Sequence, residues 1–248
     1  MKNQEQDQYI AALKKDGEFV IEKFNSFIGN KSEQQKFLEQ ILDEGQVHFE
    51  HAADIACGSG ALSYWLSLKY PNSSYTLVDL NDDLIEEARK VNTGDRFHFH
   101  VQNVYDLSLL QDNDYDLTCC WQTLLCLENP QKALDELIRI TRKGGRIYIS
   151  SLFDPVNEVD IYAKMVDWTR VSAQDGHYTP YNTFSMKTIH RWLDGKVETI
   201  KLHPFQIQID LPDVYKGLGT YTVRLENGDR LQFSAGLHLN WGILELVK

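Results

Sequence analysis

The sequence predicts an α/β fold: a doubly wound, mostly parallel seven-stranded sheet with N-terminal helices and a C-terminal β-hairpin addition. Three observations carry that expectation. From residue 51 onward, short apolar runs alternate with helical patterns at the rhythm of β-α units, whose strands pair in parallel. The first run ends in a tight Gly58-Ser59-Gly60 turn that opens a helix. The last fifty residues change to strand-like runs, two of them separated by Asn227-Gly228, a strong hairpin signal.

The elements follow in order. Residues 5–28 place Ile10, Leu13, Val20, Ile21, Phe24 and Phe27 at helical spacing, interrupted at Gly17. Ser32 is a natural N-cap for a helix to residue 42 with Phe37, Leu38, Ile41 and Leu42 on one face. This helical segment, 1–45, is either scaffold or a lid over a ligand, and the residues alone leave both readings open. Strands are expected at 51–57, 74–80, 96–103, 115–121 and 146–152. Helices at 61–70, 82–91 and 131–142 lie between them, the last stopped by Gly144-Gly145. Right-handed crossovers then bring the strand C-termini to one edge, where ligands bind in such sheets. Beyond residue 152 the pattern predicts a helix over 159–171, an aromatic-rich loop over 175–185 and a short helix over 186–193. Strands at 197–209, 220–225, 231–234 and 241–247 follow. No repeat or Pro/Gly linker divides the chain, so 1–248 is read as a single domain.

Composition narrows the function classes. Hydrophobic residues make up 42% of the 248, enough for a packed core. No run approaches the roughly 18 apolar residues of a membrane span, and the first thirty residues lack the apolar stretch of a secretory signal. A cytoplasmic protein without a membrane partner is expected. The four cysteines, Cys57, Cys119, Cys120 and Cys126, show neither zinc spacing nor a disulfide framework. His98 and His100 share a strand face with no Cys or carboxylate at matching spacing, so no metal site is expected there or at His48 and His51. The net charge of −11 repels phosphate backbones and disfavours a nucleic-acid partner.

Three features sit in order at strand C-termini. Gly58-Ser59-Gly60 allows a ligand close to the backbone at a helix N-terminus. Asp79, 19 residues after Gly60, can accept both hydroxyl hydrogens of an adenosine ribose. Asn103, in Gln102-Asn103-Val104, can hydrogen-bond an adenine amino group. Taken in order, DIACGSG, YTLVDL, VQNVYDL, YDLTCCWQTLLCLENP and LIRITRKGGRIYISS resemble the successive motifs of class I, Rossmann-like S-adenosylmethionine-dependent methyltransferases, over roughly residues 50–152. The resemblance implies a cofactor-binding core at 50–152, a substrate-side insert at 153–196 and closing strands at 197–248. It implies that Asp54, Ala56, Cys57, Gly58 and Gly60 surround the methionine moiety and that Asp79 holds the ribose. Leu80, Asn103 and Val104 would meet the adenine, and Trp121 would lie near the sulfonium.

Two positions depart from the family pattern. Ala56 replaces the first glycine of the turn, which is tolerated if its φ is negative, and Asn103 replaces an acid whose role an amide oxygen can still perform. A dinucleotide oxidoreductase is the weaker alternative, because Ser63 stands where its third glycine would be. Methyl transfer is an in-line displacement in which alignment supplies most of the acceleration. A base is needed only for a hydroxyl acceptor or a protonated amine. The expected reaction is transfer to an O or N atom of a small molecule, with Tyr162, Arg170, Tyr178 and Tyr181 of the insert binding the acceptor and His177 as the base. A non-catalytic, S-adenosylmethionine-binding regulator is the reading from another class; the hairpin and the terminal strand offer a pairing edge for a homodimer.

Overall fold

The computed structural model describes residues 11, 12, 14–213 and 216–248. Of the first expected helix, residues 5–10 and 13 lie outside the described residues, Ile10 and Leu13 among them. Helix α1 (Gly17–Gly29) begins after a turn at Asp16, as the Gly17 break predicts. Helix α2 (Glu33–Glu44) starts on a full capping box: Gln35 N donates to Ser32 Oγ at 3.2 Å and Ser32 N to Gln35 Oε1 at 2.9 Å.

The central sheet is built from β1 (His51–Ile55), β2 (Ser74–Asp79), β3 (Phe97–Val101), β4 (Tyr115–Trp121) and β5 (Thr141–Asp154), all parallel. Between them run α3 (Ala61–Lys69), α4 (Asp82–Val91) and α5 (Pro130–Ile140). The insert contributes the short strands β6 (Lys164–Met165), β7 (Thr179–Pro180) and β8 (Phe184–Ser185), then α6 (Met186–Leu193). The chain ends in β9 (Thr199–Pro204), β10 (Tyr221–Arg224), β11 (Arg230–Ser234), β12 (Leu237–His238) and β13 (Trp241–Val247). Sheet order is β3-β2-β1-β4-β5-β13-β9, with β8 extending the end of β5 as an eighth strand and β13 antiparallel to both neighbours. The strand order reverses beside β1, between β1 and β4, which opens a crevice at their C-terminal ends.

Both faces of the sheet are covered, so its inner strands are apolar on both sides. Leu38 and Leu42 of α2, Leu62 and Leu66 of α3 and Ile85 of α4 pack on one face with Leu77 and Leu117. Leu134 and Leu137 of α5, with Ile189 and Leu193 of α6, pack on the other against Ile55, Val78 and Ile149.

One expected element is absent. The helix predicted over 159–171 does not form, and the segment is extended except for the β6–β7 pair and a turn. Short carboxylates explain it, because they offer the backbone a local alternative to helical bonds. Asp154 Oδ1 accepts from the N–H groups of Val156 (3.0 Å) and Asn157 (2.9 Å), and Asp167 Oδ1 from Thr169 N (3.0 Å). Asp160 instead reaches across to Ser185 N (2.8 Å) and Thr188 Oγ1 (2.6 Å). The hairpin forms as expected, but with a longer loop than the dipeptide suggests: Leu225 N bonds Asp229 O at 2.8 Å, with Gly228 at φ +90°. β10, β11 and β12 form a small sheet of their own.

Glu245 of β13 is buried between β5 and β9, where it pairs with Arg146, takes His203 Nε2 at 2.7 Å and accepts from the Tyr148 hydroxyl at 3.2 Å. Desolvation pushes its carboxyl up, but these partners outweigh it and hold it below the usual glutamate range. A carboxyl depressed by folding contributes stability that is present above its unfolded value and lost as pH falls through the folded one. Glu245→Gln is therefore expected to cost about 3 kcal/mol at neutral pH, a cost that shrinks on acidification below the ordinary value of 4.5. Urea denaturation of both proteins across pH 3–7, an interval of about four units spanning that titration, checks this; a pH-independent difference would contradict it.

Candidate functional site

The C-terminal end of β1 turns through three left-handed residues before α3 begins: Ala56 (φ +58°), Gly58 (φ +57°) and Gly60 (φ +76°). The turn is held from below, where Cys57 N donates to Val78 O of β2 at 2.9 Å. At Gly58 a Cβ would lie 2.4 Å from the Phe24 ring of α1, so only glycine lets that helix rest on the turn. At Gly60 it would lie 2.4 Å from Asn92 Nδ2 and 2.8 Å from Leu77, so α4 packs close only on glycine. Ala56 corrects the sequence expectation: its φ is positive. A side chain there costs roughly 1–2 kcal/mol, strain of the kind that collects at ligand turns.

Two carboxylates brace this turn. Asp79 Oδ2 accepts from Gly58 N at 2.8 Å, and Oδ1 from Asn81 N at 2.9 Å. Asn81 itself caps α4 by accepting from Asp83 N at 3.0 Å. Each Asp79 oxygen keeps a second lone pair for a further donor, and desolvation pushes its carboxyl up. Asp54 of β1 is buried; its Oδ2 accepts from Ser63 Oγ at 2.7 Å, while Oδ1 has no partner among the described residues. Burial, with the Asp79 charge adding to it, pushes Asp54 up to about 6. An orphaned buried carboxylate oxygen is uncommon in a folded protein and marks a place for a donor that the described residues do not supply. Ser63, noticed in the sequence only as a missing glycine, is thus the side chain that orients Asp54.

Other expected residues lie at or just beyond the C-terminal ends of β2, β3 and β4. Leu80 is half-buried beyond Asp79, and Val104 is buried in the core beneath the end of β3. Asn103 Oδ1, the atom expected to meet adenine, already accepts from Tyr105 N at 2.8 Å and retains one lone pair. Its neighbour Gln102, given no role by the sequence, has a buried Oε1 without a partner among the described residues. Trp121 ends β4, half-buried. Beside it Gln122 (Nε2, 3.0 Å) and Ser150 (Oγ, 2.8 Å) both donate to Gln34 Oε1 and fasten α2 over the crevice. Gln34 escaped the sequence reading because a glutamine one residue into a helix looks like a solvated face. The four cysteines are free, and burial pushes every thiol up, Cys126 to about 11, so none is a thiolate nucleophile at neutral pH.

The insert residues divide. Arg170 lies 3.3 Å over the Phe19 ring of α1 and pairs with Asp167 at 3.3 Å. His177 is half-buried, its imidazole pushed down by burial while Asp16 opposes the shift. Tyr181 packs beside Cys126, Leu125 and Trp241. Tyr178 is further out, its hydroxyl accepting from Lys164 at 2.9 Å and donating to Glu128 at 3.0 Å. Tyr162 is exposed against Phe184, on the α6 side. Helix α1 joins the two regions. At its start Asp16 accepts from Ser172 N (3.1 Å) and Oγ (2.7 Å), and Lys15 pairs with Asp175. At its far end Trp65 of α3 donates to Phe27 O at 2.9 Å, and Asn25 donates to Glu87 of α4 at 3.1 Å.

Among the described residues no group of acidic, His and Cys side chains is arranged to hold a metal ion. The residues do fit a cofactor with an amino group and a ribose: Asp54 would receive the first through its free oxygen, Asp79 the second.

The chain is 30% identical over 112 residues to the demethylmenaquinone methyltransferase of Chlamydia trachomatis, covering 45% of this chain and 48% of that one. It is 28% identical over 117 residues to the ubiquinone biosynthesis O-methyltransferase of Xanthomonas euvesicatoria, covering 46% and 48%. The chain thus spans about half the length of the curated relatives it matches. Among solved structures, the 1,6-didemethyltoxoflavin-N1-methyltransferase of Burkholderia thailandensis superimposes with TM-score 0.57 at 16% identity, over 98% of this chain and 89% of that one. It shares the fold. A family profile described as a methyltransferase domain matches residues 50–194, more than half of the sequence. With its glycine turn, its paired carboxylates and its strand order, the chain belongs to the methyltransferase-domain family.

Proposed function

We propose that this protein transfers the methyl group of S-adenosylmethionine to an O or N atom of a small-molecule acceptor. One observation carries the reading: Asp54 holds a desolvated carboxylate oxygen without a donor among the described residues, at the foot of a glycine turn braced by Asp79. The curated relatives are named as a demethylmenaquinone methyltransferase and a ubiquinone biosynthesis O-methyltransferase, which supports a small-molecule acceptor. When bound, the cofactor supplies an activated methyl on a sulfonium, so the protein's task is alignment and exclusion of water.

The side chains divide that task. Asp54 receives the amino group, and Asp79 the ribose hydroxyls through its remaining lone pairs. The positive-φ residues of the turn let the ligand reach the backbone, and Cys57 closes the floor of the loop. Leu80, Asn103 and Val104 border the adenine and Trp121 the reacting centre. Helix α1 acts as a lid, with Phe24 over the turn. On the acceptor side Arg170 and Tyr181 form the wall, with Tyr178 and Tyr162 toward its rim. His177 is the base for a hydroxyl acceptor, since burial favours the neutral imidazole that can take a proton.

Calorimetric titration with S-adenosylmethionine and S-adenosylhomocysteine tests the reading, followed by turnover on a panel of phenols, amines and carboxylic acids; binding of neither cofactor form sinks it. Asp54→Asn carries a paired expectation. A carboxyl raised by folding contributes stability that is full below its unfolded value of 3.8 and lost as pH rises through about 6. The free variant should then be more stable than wild type at pH 8 by up to about 3 kcal/mol, yet bind S-adenosylhomocysteine at least about tenfold more weakly. A variant less stable and equally tight in binding would contradict this. Gly58→Ala meets both a positive φ and the Phe24 ring, and should lose cofactor binding along with roughly 1–3 kcal/mol of stability. His177→Gln is expected to lower kcat on a hydroxyl acceptor by about 10²-fold or more and to remove the acidic limb of the pH–rate profile. Unchanged turnover and profile would rule out its role as base.

A further inference from the structure

Away from the glycine turn, between the C-terminal end of β5 and the small sheet of β10, β11 and β12, lies a cavity of about 290 Å³. Three backbone hydrogen bonds frame it: Phe153 N to Asn240 O at 2.9 Å, Phe205 N to Trp241 O at 3.0 Å and Leu239 N to Gln232 O at 2.8 Å. Its walls are largely apolar, with Phe153, Leu202, Phe205, Leu231, Leu239 and Trp241 in them. A dry space of roughly 150 Å³ takes up benzene, so this one has room for two fused rings. None of Asp54, Gly58, Gly60, Asp79, Asn103 and Trp121 lines it. Apart from residues 153–157, its lining comes from beyond residue 194, where the match to the methyltransferase domain ends.

One polar side chain in this wall has no structural employment. Gln232 of β11 is only 8% exposed and lines the cavity, yet its amide has no hydrogen-bond partner among the described residues. The charged groups around it are already engaged. Asp154 Oδ1 accepts from Val156 N at 3.0 Å and Asn157 N at 2.9 Å. Asp229 accepts from Gln206 Nε2 at 3.3 Å and Asn227 Nδ2 at 2.7 Å, and Arg230 Nε donates to Asp210 at 2.9 Å. Each carboxylate and guanidinium in the lining thus has its partner, which leaves an amide facing an apolar space. Burying an amide unpaired is costly, and a ligand that pairs with it removes the cost. A side-chain amide sets an N–H donor beside a C=O acceptor. Its complement carries the same two groups side by side, whichever way round the amide lies.

We propose that this cavity is a second small-molecule site, separate from the cofactor crevice, in which Gln232 pairs with a planar, uncharged ring system carrying an N–H next to a C=O, as a lactam does. Phe153, Phe205 and Trp241 supply aromatic walls for the rings. Trp241 also packs with Leu125 and against Tyr181, so the site shares a wall with the insert. The site stands independently of the methyl-transfer reading, because none of the residues assigned to the cofactor or the acceptor lines it.

Calorimetric titration of the full chain with carbostyril, a two-ring lactam, and with quinoline, which keeps the rings but lacks the N–H and C=O, tests the assignment. Wild type should bind carbostyril at least about tenfold more tightly than quinoline. Gln232→Leu should remove that preference and leave the thermal unfolding midpoint unchanged or higher, since the amide has no partner to lose. Leu231→Trp, which fills the space from its own wall, should abolish carbostyril binding. Equal affinity for the two rings in wild type, or failure to bind carbostyril, overturns the proposal. A preference that survives Gln232→Leu, a lowered midpoint in that variant, or binding that survives Leu231→Trp does so as well. Titration of the same protein with S-adenosylhomocysteine reads the methyl-transfer proposal separately, so either can fail without the other.

Discussion

The hydrogen bond from Gly58 N to Asp79 Oδ2, at 2.8 Å, ties the loop after β1 to the end of β2 and sets the geometry on which the rest of the site depends. With the Cys57–Val78 bond beside it, the chain must reverse within a few residues, and it does so through three left-handed positions. That reversal aims the start of α3 at the crevice and brings Gly60 against Leu77 and Asn92, so that α4 closes without a side chain in the way. Asp54 lies in the strand just before the turn, and Ser63 reaches it from the first turn of α3. Moving the turn would move every one of these groups together.

Charge is distributed unevenly around this scaffold. Most ionisable groups are exposed or, like Glu245, buried with partners that satisfy them. The crevice breaks that rule: burial raises Asp54 toward neutrality. A chain that is otherwise consistent in its packing and caps departs from consistency where a ligand completes it. Helix α1 couples the two regions mechanically, since it is pinned to the insert at Asp16 and Phe19 and to α3 and α4 at Phe27 and Asn25.

The insert shows why local pattern misleads. Its apolar positions over 159–171 repeat at a helical interval, yet Asp154 and Asp167 cap nearby backbone N–H groups and Asp160 reaches α6, so the segment stays extended. Val159, Ile161 and Trp168 are left on the surface, so no buried face was available to stabilise a helix. Tyr162 packs against Phe184 instead, and Tyr178 turns its hydroxyl to Lys164 and Glu128.

By itself the sequence determined the β-α alternation, the cap at Ser32, the glycine turn and the position of Asp79. These depend on periodicity and on short-range backbone chemistry, which neighbouring residues dictate. Only the tertiary structure decided that Ala56 takes a positive φ, that Ser63 holds Asp54, and that Gln34 fastens α2 across β4 and β5. Each of these joins residues far apart along the chain or follows from a constraint imposed by a neighbouring strand. Desolvation, which gives Asp54 its chemistry, is a property of what surrounds a group in space and leaves no mark on the sequence around it.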